Sequence, residues 1–231
     1  MKTQSLSWLA LPALLLLGGC PEGGGGDGGF GNGGGISSRI AYVANSGSNN
    51  VSGYMIATTG ALTTIGGSPF SGVTAPSAVT VSADGSFVYV TNHGGANSVS
   101  AFTVNSTTGA LTPVAGSPFA AGTTPNAVTV SPNGNFLYVT NGSSDNVSMF
   151  TIDGATGVLT SPATIAADTS PSGVSIDPNG LFLYVANGGS NNVSAYTITA
   201  GTGALTPVSG ALGNPFSAGT TPSGIATPGR P

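Results

Sequence analysis

Charged side chains are scarce in this chain of 231 residues, of which only 4% carry a formal charge. Three residues are basic, namely Lys2, Arg39 and Arg230, and they are far apart in the sequence. Nucleic-acid binding relies on clustered cations that displace counterions from phosphates. We therefore predict that the protein has no nucleic-acid partner.

Cysteine and histidine occur once each, as Cys20 and His93. A disulfide needs a second cysteine, and a metal centre or an acid–base catalyst built on His93 needs partner side chains. His93 follows Asn92 in a polar segment, where a solvated loop residue is the simpler interpretation. The sequence thus supports no metal site, no cofactor and no catalytic residues. Whether the protein is an enzyme stays open.

The N-terminus has the pattern of a targeting segment. Lys2 precedes an apolar run over residues 8–17, which is too short to span a bilayer. The run ends in Leu17-Gly18-Gly19-Cys20, which resembles the bacterial lipobox. We predict a lipoprotein signal peptide over residues 1–19 and lipidation of Cys20. The alternative is an ordinary secretory signal with an incidental cysteine.

A glycine-rich stretch follows the predicted lipidation site and extends to residue 35. Such a sequence buries no apolar area, so residues 20–36 are predicted to form a flexible tether before a folded domain over 37–231. Two or three acyl chains on Cys20 would hold the protein stably on a membrane. We expect a lipid-anchored protein of the cell envelope. Pro21 in place of Asp favours the outer membrane, with the domain facing the periplasm or the surface.

A six-residue pattern ending in asparagine recurs along the predicted domain. Its copies are Ile40–Asn45, Phe87–Asn92, Phe136–Asn141 and Phe182–Asn187. Each unit reads as four short strands separated by turns rich in Gly, Asn and Pro, with repeats near 39–86, 87–135, 136–181 and 182–231. No segment keeps a helical period, so a helical solenoid is excluded. A β-helix is the structural alternative, although its repeats are usually much shorter. This pattern predicts an all-β protein, a β-propeller of about four four-stranded blades.

The motif Tyr138-Val139-Thr140-Asn141, the turn Ser131-Pro132-Asn133-Gly134 before it and the Asn-x-Val-Ser after it resemble the YVTN-type repeat of lactonase-like β-propellers. The resemblance covers residues 39–228. It implies the propeller fold, and for activity it implies hydrolysis of cyclic esters with the help of central acids, histidines or a bound cation. Members of this family usually have seven blades, so a chain with four departs from the pattern.

The strand count indicates how the ends would meet. The first unit lacks an opening strand, whereas residues 221–228 match the opening strand of a blade. We therefore expect the C-terminal strand to join the first blade and close the ring. The alternatives are half of an eight-bladed dimeric ring, which would make the protein a homodimer, and an open arc.

Candidate ligand-binding residues lie in the loops at the ends of the second strands. They are Asn92, His93, Asn141, Asp145 and Asn187. The asparagines at these ends could form a ring of amides for a sugar or a peptide. The simpler interpretation is that asparagine caps each hairpin loop by hydrogen bonds to the backbone. Asp145 and Asp168 are the acids placed where a ligand could meet them.

These observations favour a lipid-anchored β-propeller that acts as a binding or scaffold module for an unknown protein or carbohydrate ligand. One alternative is a lactonase-like hydrolase of cyclic esters. Another is an envelope assembly component formed by dimerised half-rings.

Overall fold

The computed structural model describes residues 14–16, 39–209 and 214–228, and everything below concerns these residues. Within them all regular secondary structure is β, arranged as four antiparallel sheets. Each sheet is one blade, so the prediction of an all-β propeller with about four four-stranded blades is confirmed.

The strands follow the chain order within each blade. The first blade contains β1 (Leu14–Leu16), β2 (Arg39–Asn45), β3 (Asn50–Ile56) and β4 (Leu62–Thr64). The second contains β5 (Pro76–Val81), β6 (Phe87–Asn92), β7 (Ser98–Val104) and β8 (Leu111–Pro113), with β9 (Phe119–Ala120) also paired to β7. The third contains β10 (Pro125–Val130), β11 (Phe136–Asn141), β12 (Asn146–Ile152) and β13 (Leu159–Ala166). The fourth contains β14 (Pro171–Ile176), β15 (Phe182–Asn187), β16 (Asn192–Ile198) and β17 (Leu205–Pro207), with β18 (Phe216–Ser217) also paired to β16.

The second strand of a blade is apolar on both faces because both faces pack against neighbours. Every residue of β6 and β11 is buried. The turn before β11 is built as its sequence predicts: the Ser131 hydroxyl donates to Asn133 Oδ1 at 2.6 Å, and Gly134 adopts a φ of 75°. A short, well-capped turn therefore fixes the register of the first two strands.

Adjacent blades are joined by a tyrosine that reaches across the interface. The hydroxyls of Tyr42, Tyr89 and Tyr138 donate to the carbonyl oxygens of Gly109, Gly157 and Gly203, at 2.6, 3.3 and 2.8 Å. Each acceptor lies in the turn between the third and fourth strands of the next blade. Burial raises the pKa of all three phenols well above the usual value. These hydroxyls therefore stay protonated and keep donating at every physiological pH.

The hydrophobic core lies between blades rather than at one centre. One cluster joins the first and second blades and includes Ile40, Phe70 and Val88. A second joins the second and third blades through Phe87 and Leu137, and a third joins the third and fourth. Apolar burial thus couples each blade to its neighbours along the arc.

The C-terminal segment lies on the fourth blade. Thr227 Oγ1 donates to the Ile176 carbonyl oxygen at 2.6 Å, and the Ser172 hydroxyl donates to that of Pro222 at 2.7 Å. The edge of β2, where ring closure was predicted, instead pairs with β1, with Leu15 opposite Tyr42. Among the described residues, closure of the ring through residues 221–228 is therefore not seen. The segment extends the arc because its contacts repeat those between earlier opening strands.

The predicted signal peptide and tether fall almost entirely outside the described residues, as does Cys20. The exception is β1, which belongs to the apolar run of that predicted signal. Within the part of the chain that the structure describes, no helix is long and apolar enough to cross a membrane.

Candidate functional site

The loops with the most polar side chains lie on one face of the arc. Because the strands are antiparallel, the loops between second and third strands lie on the same face as the loops that lead into the next opening strand. We call this surface the rim face. All five candidate residues from the sequence lie in or beside these loops, so they share a face.

The asparagines that end the second strands point into their own hairpins. Asn141 Nδ2 donates to Asn146 Oδ1 at 2.8 Å and to the Ser148 hydroxyl at 2.9 Å. Asn187 makes the same pair of bonds, to Asn192 and Ser194. Both side chains are fully buried. Their amide groups therefore hold the loop in place and are not presented to solvent.

One atom of these amides differs between blades. Asn92 Oδ1 accepts the backbone N–H of Thr74 at 3.0 Å. The Oδ1 atoms of Asn141 and Asn187 are buried without a protein donor. In these two blades the corresponding backbone N–H groups, of Thr123 and Thr169, donate to the hydroxyls of Ser144 and Ser190. A buried acceptor of this kind is normally satisfied by an ordered water molecule.

A second set of side chains clamps the loop that enters the next blade. Asn49, Asn97, Asp145 and Asn191 all have positive φ, and each accepts a backbone N–H through Oδ1. The donors are Ala75, Thr124, Ser170 and Thr221, which also have positive φ. Asp145 therefore has a structural partner, at 2.8 Å from the backbone nitrogen of Ser170.

His93 is exposed, and its backbone N–H donates to the Ala75 carbonyl oxygen at 3.1 Å. Among the described residues, no group of three or more His, Cys, Asp or Glu side chains is placed to hold a metal ion. The structure thus does not gather the five sequence candidates around one point.

Asp168 is the acid of the rim face whose carboxylate is held by several hydrogen-bond donors. Its Oδ1 accepts from the Ser190 hydroxyl at 2.7 Å and from the Thr169 N–H at 2.9 Å, and its Oδ2 accepts from Asn192 Nδ2 at 2.7 Å. The Ser190 bond, followed by those from Asn192 and Thr169, lowers the pKa of this carboxyl below its usual value. Asp168 is therefore ionised throughout the physiological pH range.

Asp168 also borders a cleft of about 180 Å³ between the third and fourth blades. Ser194, Tyr196 and Asn214 supply the other polar atoms of its wall, beside Ala166 and Pro215. The Tyr196 hydroxyl donates to the Ala166 carbonyl oxygen, and the Asn214 amide bonds to the backbone of Ala195. Among the described residues of the cleft wall, Asp168 is thus the one carboxylate, and its three donors leave room for one further hydrogen bond.

A signal for Asp168 exists in the sequence. In the other loops of the described chain that lead to an opening strand, its position is held by Val73, Gly122 and Gly219. A carboxylate therefore breaks the repeat at this one junction. Its partners Ser190 and Asn192 come from the adjoining loop of the next blade, and sequence reasoning did not join them to it.

The family model for the lactonases, described as seven-bladed β-propellers, matches residues 36–174 and 117–217. The chain is similar in fold to a candidate 6-phosphogluconolactonase from Bacteroides uniformis, with 22% identity and a TM-score of 0.69 over 81% of this chain and 57% of that one. It is also similar to the periplasmic gluconolactonase of Pseudomonas aeruginosa, with 23% identity and a TM-score of 0.64 over 78% of this chain and 52% of that one. No curated protein matches the chain.

The chain spans little more than half the length of these solved structures. The family match corrects the main functional prediction from the sequence, a binding or scaffold module, which is wrong. It agrees better with the alternative, a lactonase-like protein. The chain belongs to the lactonase family of β-propellers.

Proposed function

We propose that the protein is a lactonase-like hydrolase that opens an uncharged cyclic ester at the rim face, in the cleft beside Asp168. The observation that carries the proposal is the family match over residues 36–174 and 117–217. The cleft is the place on the rim face where a carboxylate, kept ionised by three donors, faces open space.

Hydrolysis of a lactone needs a water molecule directed at the carbonyl carbon and a group that takes its proton. An ionised carboxylate has about four acceptor positions, and three donors leave one for that water. Asp168 would hold the water and receive the proton as the new C–O bond forms. The ring C–O bond then breaks, the proton passes to the ring oxygen, and an open hydroxy acid leaves.

The charge inventory supports an uncharged substrate. A phosphorylated lactone is normally held by Arg or Lys, which pair with its phosphate oxygens. Among the described residues the one Lys or Arg side chain is Arg39, which begins β2 on the face opposite the rim. The rim face of the described chain therefore has no lysine or arginine for a phosphate, and we expect a neutral sugar-type lactone to be preferred.

The test is turnover of δ-gluconolactone by the purified protein, measured by acid release with and without added divalent cations. We expect turnover that falls about a hundredfold or more in Asp168→Asn, because the amide cannot accept the proton. Asp153→Asn, in an exposed turn on the opposite face, is the matched control and should keep full activity.

The pH profile adds a second readout. Because hydrogen bonds lower the pKa of Asp168, the rate should hold down to a pH below the usual carboxyl pKa before it drops. The proposed function is overturned if neither neutral nor phosphorylated lactones are hydrolysed under any of these conditions. Equal activity of Asp168→Asn and the parent protein would remove Asp168 from the mechanism.

We also propose that Cys20 is lipidated and anchors the protein in the cell envelope, at the outer membrane. The support is the lipobox-like Leu17-Gly18-Gly19-Cys20 after a short apolar run. Expressed in a bacterium fed a labelled fatty acid, the protein should carry label and fractionate with outer membranes. Cys20→Ser should lose both properties, and a parent protein without label would contradict the proposal.

A further inference from the structure

The two ends of the arc carry unmatched halves of one repeated interface. Inside the arc, the phenylalanine that begins a second strand is covered by the glycine turn of the next blade. Phe87 lies against Gly157, and Phe136 lies against Gly203. These phenylalanines are only 5% and 4% exposed. This contact between phenylalanine and the glycine turn, together with the tyrosine hydrogen bond beside it, joins each blade to the next.

On its outer side the fourth blade presents the first half of this interface, and no described blade supplies the second half there. Phe182 is 36% exposed and Leu181 is 49% exposed, whereas Tyr184 is half-buried. Tyr184 corresponds to Tyr138, whose hydroxyl donates to the glycine carbonyl of the next blade. We call Leu181, Phe182 and Tyr184 the fourth-blade end face.

The first blade has the second half. Its turn Thr59-Gly60-Ala61-Leu62 repeats Thr156-Gly157-Val158-Leu159. Gly60 has the same positive φ as its counterparts, and a Cβ placed on it would meet nothing within 4 Å. Leu62 is 53% exposed, whereas Leu111 and Leu159 are 8% and 4% exposed. We call Gly60 and Leu62 the first-blade end face.

The backbone of residues 221–227 at one end of the arc also matches the edge of β2 at the other end. Thr221 has a φ of 51° and donates its N–H to Asn191 Oδ1 at 2.6 Å, which is the clamp that starts every opening strand. The register of the fourth blade, in which Val174 lies opposite Val185, places Ile225 opposite a valine such as Val43. In the structure Val43 pairs with Leu14. Cleavage before Cys20 would remove that strand and free the β2 edge.

We propose that two copies of this chain assemble head to tail into an eight-bladed ring. The fourth-blade end face of each copy packs on the first-blade end face of the other, and residues 221–227 add to β2 as the missing opening strand. A seven-bladed ring gives each blade roughly 50°, so four blades at that pitch span roughly 200° and leave their own ends apart. Two copies close the ring with a change of a few degrees at each interface.

Light scattering on the purified mature chain, which begins at position 20, tests the assembly without any use of activity. We expect twice the mass of one chain. Leu62→Asp should raise the dissociation constant about a hundredfold or more and give a monomer that still melts cooperatively, because Leu62 is exposed in the single chain. Thr63→Asp, the exposed neighbour, should remain dimeric.

A cross-linking experiment separates a second copy from closure within one chain. Val43→Cys and Ile225→Cys, each in the mature chain that begins at position 20 and carries Cys20→Ser, are mixed and oxidised. Opposed residues of antiparallel strands lie within disulfide range. We expect a covalent dimer from this mixture and none when Ala226→Cys replaces Ile225→Cys, because that side chain points to the other face.

A monomeric parent protein at tens of micromolar would overturn the proposal. So would a dimer unaffected by Leu62→Asp, since that dimer would use another surface. Larger open oligomers with the same cross-link would show that the ends meet without the ring closing, which also contradicts the proposal. A dimer without lactone turnover would leave the assembly standing and reject only the proposed function.

Discussion

At the scale of the residue, the buried asparagines of the second strands combine a repeated role with a local variation. Asn141 donates its side-chain amide hydrogens to groups of its own hairpin, whereas its Oδ1 lacks a protein donor. We expect Asn141→Ala to lower the free energy of unfolding by about 2 kcal/mol, because two buried hydrogen bonds are lost. Chemical denaturation measures this. Asn135→Ala, at an exposed turn position, should change stability by about 0.5 kcal/mol or less. Equal losses in the two variants would show that the hairpin bonds contribute nothing.

The sequence could predict the positions of these asparagines, since they recur at the end of every second strand, and it offered both a binding and a capping interpretation. It could not predict that Asn92 finds a backbone donor while Asn141 and Asn187 do not. That difference depends on whether a serine in the loop after the second strand accepts the backbone N–H instead, as Ser144 and Ser190 do. Asp168 is a similar case: its departure from the repeat is visible in the sequence, but its three donors meet only in the folded chain.

At the scale of the element, the glycine turn between the third and fourth strands is where neighbouring blades touch most closely. A Cβ on Gly157 would collide with the ring of Phe87, and the residue has a φ of 74°. We expect Gly157→Ala to cost about 3 kcal/mol, from overpacking added to the strain of a left-handed backbone.

Gly134→Ala is the matched control for that substitution. Gly134 has a φ of 75°, and nothing lies within 4 Å of a Cβ placed there. Its cost should be about 1 kcal/mol, the backbone strain alone. The difference between the two melting curves isolates the packing contribution. If both variants melt alike, the close contact between Gly157 and Phe87 does not contribute to the packing of the second blade on the third.

The strands themselves could largely be predicted, because alternation of apolar residues and the Pro, Asn and Gly turns act locally. β11 begins at Phe136 and ends at Asn141, the same bounds as the repeated motif. The two-residue strands β9 and β18 were not predicted, since Phe119–Ala120 and Phe216–Ser217 pair with the third strand only after a long loop returns them to it. Pairing over such a distance depends on the packing of the blade rather than on local sequence.

At the scale of the whole molecule, the chain is an arc whose interior interfaces are complete and whose ends are not. Phenylalanine and leucine at these positions are each buried at two interior junctions, whereas Phe182 and Leu62 are exposed. The sequence predicted that the first blade lacks an opening strand, whereas in the structure β1 pairs with β2 at that edge. It could not predict where residues 221–228 would lie, because the angle between blades is set by packing across the interface, and that angle decides whether four blades close.

The tyrosine that reaches from one blade to the next has a consequence for how such a protein can grow. Because Tyr42, Tyr89 and Tyr138 all meet the same kind of glycine turn, any unit is able to follow any other without a new contact surface. Duplication of one repeat within the gene would therefore insert a blade that already fits both neighbours. The number of blades can therefore change while the contacts at every junction stay the same.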